Sequence, residues 1–188
     1  LRGDAEARAF VGEYMRTFAE ASTGQVNLAN IESRLGNGEA RFTSLEILNE
    51  DGETVNYVRS ADRLRMRLHY RAETRLRDRV VGVNWHSEYG TLVAATNNWA
   101  TGDDIPIVEP GVGYAELEID CLHLLPGRYY LSFHLGKWPD YYDGLKNCVT
   151  FDVESSDFYG SGRGIDSRFG LTFFPCRWRS RAPQVPAP

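Results

Sequence analysis

The stretch GRYYLSFHLGKW, residues 127–138, decides the fold. Tyr129, Leu131, Phe133 and Leu135 fall at every second position, with Tyr130, Ser132 and His134 between them. Successive side chains of a strand point to opposite faces, so the first set builds a core and the second lies on an outer surface. The preceding turn, PGRY at 126–129, suits type II geometry, with Pro126 fixing φ at the first central position and Gly127 taking a positive φ at the second.

The same period of two recurs on both sides. Strands are expected at 40–49, 55–58, 63–73, 79–88, 90–97, 112–124, 127–136 and 147–153, with NEDGET at 49–54 as a hairpin turn and IPIVEPGVG at 105–113 as a longer crossing loop. No helical pattern interleaves them, so the fold class is all-β, an immunoglobulin-like antiparallel β-sandwich. Ahead of it, Asp4 caps a helix whose Phe10, Tyr14 and Phe18 recur every four residues. The organisation is therefore a helix over 1–23, a polar, glycine-punctuated linker over 24–38, the sandwich over 39–180, and a flexible proline-rich tail over 181–188.

With 42% hydrophobic and 25% charged residues among 188, the composition is that of an ordinary globular domain with its own core. A net charge of -5 argues against a nucleic-acid partner, because such binding rests on an excess of Lys and Arg over the phosphates. Cys121, Cys148 and Cys176 are odd in number and lack any ligand spacing, which reads as reduced thiols in a cytosolic protein. Neither a long apolar run nor a basic-then-apolar leader is present.

Chemistry is poorly represented. GSGRGIDS at 160–167 lacks the lysine of a phosphate loop, and neither GxSxG nor HExxH occurs. The four histidines are scattered, with His123 expected toward the core, and the acids Asp103/Asp104 and Asp140/Asp143 read as turn formers rather than a glycosidase pair. No catalytic residue, cofactor or metal is expected.

Alternation assigns the faces. In 62–73, Leu64, Met66, Leu68 and Tyr70 face the core while Arg63, Arg65, Arg67, His69 and Arg71 face out; in 113–124, Tyr114, Glu116, Glu118 and Asp120 face out. If the two strands are neighbours, arginines meet carboxylates, a solvated and self-complementary surface. The sharper alternative is a site for phosphate or an acidic sugar. On the other sheet the outward set is Asn84, His86, Tyr130, Ser132, His134, Thr150 and Asp152, with Val81, Val83, Trp85, Phe133 and Phe151 inward, and with Trp99, Trp138, Tyr141 and Tyr142 in flanking loops. Aromatic planes stack on the apolar faces of sugars while Asn, Ser and His hydrogen-bond hydroxyls, so Asn84, His86, Tyr130, Ser132, His134 and Trp138 are the candidate carbohydrate-binding residues. An ordinary outer sheet face, or a structural or protein-interaction module docking through exposed aromatics, is the competing reading.

Five stretches in order carry a resemblance: RGDAEARAFVGEYM near the start, GEARFTSLEILNEDGE at 38–53, LLPGRYYLSFHL at 124–135, NCVTFDVESSDFYG at 147–160 and GLTFFPCRW at 170–178. Together the chain resembles the C-terminal carbohydrate-binding domain of Wzt-type ATP-binding subunits, from ABC transporters that export O-antigen polysaccharide. The resemblance implies a cytoplasmic homodimer, peripheral to the inner membrane through a transmembrane permease subunit, that binds the non-reducing end of the lipid-linked polymer on a concave sheet surface. It also implies that the last strand, 168–178, is exchanged between protomers, which Phe169, Leu171 and Phe173 at alternate positions suit. The absent phosphate loop implies that ATP hydrolysis belongs to another part of the full-length subunit.

Overall fold

The computed structural model describes residues 24–77, 80–105, 109–137 and 139–179. The N-terminal helix, Trp138 and the C-terminal tail read from the sequence lie outside the described residues. Nine strands form two sheets: β1 (Gln25–Asn27), β2 (Ala40–Leu48), β3 (Val58–Arg59), β4 (Leu64–Ala72), β5 (Val81–Ser87), β6 (Leu92–Asn97), β7 (Gly111–Ile119), β8 (Gly127–Lys137) and β9 (Asp140–Glu154). The four-stranded sheet runs β1-β2-β4-β7 and the five-stranded sheet β3-β9-β8-β5-β6. Pairing is antiparallel except between β3 and β9, which run parallel.

The alternation read from 127–138 holds: Tyr129, Leu131, Phe133 and Leu135 are buried, and they meet Phe42, Leu45, Met66 and Leu68 of the facing sheet. Phe42 and Phe133 pack edge to face at 6.2 Å, joining the sheets at the centre. Burying each such side chain stabilises the fold by roughly 1.5–3 kcal/mol. The hairpin at 49–54 forms as expected: Gly52 takes φ 83° and the Asn49 side chain accepts the Glu53 N–H.

Several elements differ from the sequence reading. The polar stretch 24–38 is fastened to the sandwich, through β1 and through Leu35, which exchanges hydrogen bonds with Gly144. β7 stops at Ile119 because Leu122 leaves the ladder to exchange hydrogen bonds with Ala61 and Asp62. The alternation slips there, so Leu122 and Leu124 fill the core and His123, expected inward, is exposed against the edge of Phe173. β9 begins at Asp140, so Tyr141 and Tyr142 are strand residues rather than loop residues; two register shifts against β8 and a buried Asp143 hide the period there. Trp99 sits exposed on a one-turn helix, α1 (Asn98–Thr101), capped by Asn97. Gly127 takes the positive φ expected of it, but at 157° it stands far from the value near +80° of a type II turn.

Two polar devices lock this frame. The Arg34 guanidinium, almost wholly buried, donates to the Leu28, Ile31 and Phe42 carbonyls and pairs with Asp143 Oδ2 at 2.6 Å. The same carboxylate oxygen accepts the Phe42 N–H at 2.8 Å. Burial lifts the Asp143 carboxyl above its ordinary range, and the Phe42 N–H and Arg34 work against that lift. The second device is Tyr129, whose hydroxyl donates to the Leu125 carbonyl at 2.7 Å and also meets the Leu171 carbonyl at 3.0 Å. Burial pushes that phenol up to about 12. A tyrosine at the start of a strand bonding back to the preceding corner is a recurrent brace of such sandwiches.

Asp143→Asn keeps the shape but leaves the buried Arg34 charge without its anion. The expected loss is about 3 kcal/mol of unfolding free energy, read as a lower urea midpoint at unchanged slope. An unchanged midpoint contradicts this role. Tyr129→Phe is expected to cost about 1–2 kcal/mol by the same measurement, and to raise hydrogen exchange at Leu125, whose N–H is held by Leu171.

Candidate functional site

The outer face of the five-stranded sheet brings most of the sequence-predicted residues together. Cross-strand register sets His86 beside Tyr130 and Tyr130 beside Thr150, and sets Asn84 beside Ser132. Facing Cβ atoms in such rows lie about 5 Å apart, so the side chains form one continuous surface. Asn84, His86, Tyr130 and His134 are each half-buried, which leaves part of every side chain at the surface.

The third row is shaped by glycine. His134 lies between Gly82 and Gly144, and a Cβ on Gly82 would fall 1.9 Å from the His134 ring, so the ring rests across the bare backbone of β5. Tyr141 meets the other side at 5.7 Å between centroids. Burial holds the imidazole below its ordinary value, which keeps it neutral at neutral pH, with one nitrogen a donor and the other an acceptor. Tyr141 and Gly82 are members of this site that the sequence reading placed elsewhere or passed over. The signal for Gly82 was present, since a glycine inside a strand marks a close approach.

Ser132 differs from its neighbours. It is buried, its hydroxyl bonds the Asn147 side-chain oxygen at 3.1 Å and accepts the Asn147 N–H at 2.8 Å. Asn147 has φ 46°, at a register shift between β8 and β9, so Ser132 braces a bulge. His86 Nδ1 is buried without a hydrogen-bond partner among the described residues. Asp152 is spent on a two-point pair with Arg128 at 2.8 and 2.9 Å.

The outer face of the four-stranded sheet carries the expected charge ladder. β4 and β7 are neighbours, with Arg65 opposite Glu118 and Arg67 opposite Glu116. Arg63 pairs with Asp120 at 3.3 Å, Arg65 with Glu116 at 3.8 Å, and Arg67 with Glu116 at 2.8 Å and with Glu46 at 3.4 Å. Glu46, which the sequence reading did not single out, also meets His69 Nε2 at 3.1 Å. Most of the arginine row is thus neutralised by its own sheet. A groove of about 360 Å³ opens beside it, over Thr43, Ser44, His69 and Tyr114.

The described residues hold no group of three or more His, Cys, Asp or Glu arranged for a metal ion. All three cysteines are unpaired, and burial pushes the Cys148 thiol up to about 12, which makes it unreactive. No described helix is long and apolar enough to cross a membrane.

A family model described as the Wzt C-terminal domain matches residues 31–163. No curated protein matches the chain. A solved structure described as the crystal structure of the C-terminal domain of wzt superposes with a TM-score of 0.60 at 21% identity, over 77% of this chain and 90% of that one, which supports the sandwich fold. The family match runs from the segment anchored by Arg34 to the loop beyond β9, well over half of the sequence, and the chain belongs to the Wzt C-terminal domain family.

Proposed function

We propose that this chain recognises the non-reducing end of a lipid-linked O-antigen polysaccharide, without catalysing a reaction, and binds it on the outer face of the five-stranded sheet. Membership in the Wzt C-terminal domain family supports the setting, the ATP-binding subunit of an O-antigen ABC transporter. The observation that carries the site is the register of Asn84, His86, Tyr130 and Thr150 on one face, with the neutral His134 ring beside Tyr141. Amide, imidazole and hydroxyl groups exchange hydrogen bonds with sugar hydroxyls, and a tyrosine ring offers a plane for the apolar side of a pyranose. Ser132 acts here as a brace for the bulge rather than as a contact.

In this reading the domain works in the cytoplasm as a homodimer, joined to the permease subunit through the rest of its subunit, where ATP is hydrolysed. Exposed Phe169, Phe174 and Trp178 support exchange of 168–178 with a second copy, since a single chain leaves them uncovered while it buries Phe173. The strip of exposed Tyr89, Leu92 and Trp99 along the β6 side favours a second reading, a protein-docking module.

Each hydroxyl bond nets only about 1 kcal/mol against water, so affinity is modest and spread over several residues. Titration calorimetry with the O-polysaccharide of the source organism is expected to show binding that weakens roughly tenfold in Tyr130→Ala and in His134→Ala, with the unfolding midpoint of Tyr130→Ala unchanged. Unaltered binding in both variants rejects this face. Absence of binding to the polymer, with retained binding to a protein partner, favours the docking module.

A further inference from the structure

Among the described residues, two buried side-chain polar atoms lack a hydrogen-bond partner, Trp85 Nε1 and His86 Nδ1, and they belong to consecutive residues of β5. Alternation sends the two side chains to opposite faces: Trp85 is a buried core residue, and His86 is half-buried on the outer surface. In register, His86 stands between Tyr130 of β8 and Leu92 of β6. β6 carries one extra residue there, Val93, between the partners of Trp85 and His86, and a bulge of this kind re-aims the side chains beside it. The Nδ1 edge of the His86 ring is shut away from water. Nε2 bonds no described residue and is not among the buried atoms, so it is the nitrogen open to solvent.

The two unpartnered nitrogens differ in what they permit. An indole nitrogen is always a donor, so Trp85 buries its unpaired N–H with no alternative. An uncharged imidazole has one: it carries its proton on either nitrogen, and the other then becomes an acceptor. In folded proteins a buried N–H left without an acceptor is rarer than an acceptor left short of donors. The proton of His86 therefore belongs on Nε2, where water or a ligand takes the bond.

We infer that His86 is a specificity-determining donor of the outer surface, its Nε2–H selecting a ligand that presents an acceptor oxygen at this point rather than an ammonium or an amide N–H. Its neighbours on the face make no such choice. Asn84 carries both an acceptor oxygen and a donor nitrogen, and the Tyr130 and Thr150 hydroxyls act either way. A sugar hydroxyl that gives its proton to one of them keeps lone pairs for His86. A ring hydroxyl or an acetamido carbonyl thus fits, and the ammonium of an amino sugar does not. That the acceptor belongs to a glycan rests on the function proposed above; the tautomer of His86 does not.

Imidazole nitrogen NMR of the folded, ligand-free domain reads the tautomer at about pH 8, above the ordinary histidine range. His86 is expected to be protonated at Nε2 and bare at Nδ1; a proton on Nδ1 overturns the inference. Titration with the O-polysaccharide of the source organism then tests the use of that donor. His86→Gln still offers an N–H from a similar position, whereas His86→Glu presents only acceptor oxygens. Both are expected to bind more weakly than the unaltered domain, and the Glu variant roughly fivefold more weakly than the Gln variant. A Glu variant that binds as well as the Gln variant, or better, overturns the inference even with the proton on Nε2. Polymer binding lost in Tyr130→Ala but unchanged in both His86 variants rejects the donor role and keeps the polysaccharide reading. No polymer binding by the unaltered domain rejects that reading instead, while the nitrogen spectrum still decides the tautomer.

Discussion

The buried pair of Arg34 and Asp143 is the constraint around which the sandwich is arranged. One guanidinium gathers three backbone carbonyls of the segment before β2 and of β2 itself, and one carboxylate of β9 receives both that cation and the Phe42 N–H. Apolar packing fills the space between the sheets without a direction of its own, and backbone hydrogen bonds of Leu35, Asn37 and Gly38 to Gly144, Tyr141 and Tyr142 hold the segment before β2 against β9. A buried charge, by contrast, tolerates few positions for its partner, because an uncompensated one costs several kcal/mol. With those bonds, the pair fixes where β2 crosses β9 and where the segment before β2 enters. It stands next to the proposed glycan surface: Asp143 adjoins Gly144, which pairs with His134 on one strand and with Leu35 on the other.

Much of this was legible in the sequence, for a physical reason. Strands with one dry and one wet face must alternate, so 40–48, 64–72 and 127–137 declare both their extent and their faces, and the meeting of Arg67 with Glu116 follows from two such patterns. The losses occur where alternation is not the governing rule. β9 carries a buried aspartate and two register shifts, so its first half, with Tyr141 and Tyr142, reads as loop. The stretch 24–38 is polar because its role is to bond backbone and charge, and polarity reads as a linker. His123 turns outward because the chain leaves the ladder at Ile119, an event set by hydrogen bonds to Ala61 and Asp62 that lie far away in sequence.

The candidate surface was legible in the same partial way. Register confirms that Asn84, His86, Tyr130 and His134 share one face of one sheet. It does not reveal that Ser132 is spent on Asn147, or that Gly82 exists in part to admit the His134 ring. Glu46 escaped notice because its partners, Arg67 and His69, come from a neighbouring strand. The two outer faces consequently differ in kind. One is a neutral surface of rings and amides; the other is a charge ladder that cancels itself along most of its length.

The central claim is that the neutral surface receives the polymer. Amide and side-chain NMR shifts of the folded domain, recorded against its own O-polysaccharide and an unrelated one, test it most directly. The account predicts selective, saturable shifts centred on Asn84, His86, Tyr130 and His134 with the cognate polymer alone. Shifts confined to other surfaces, or none in a properly folded domain, would contradict it.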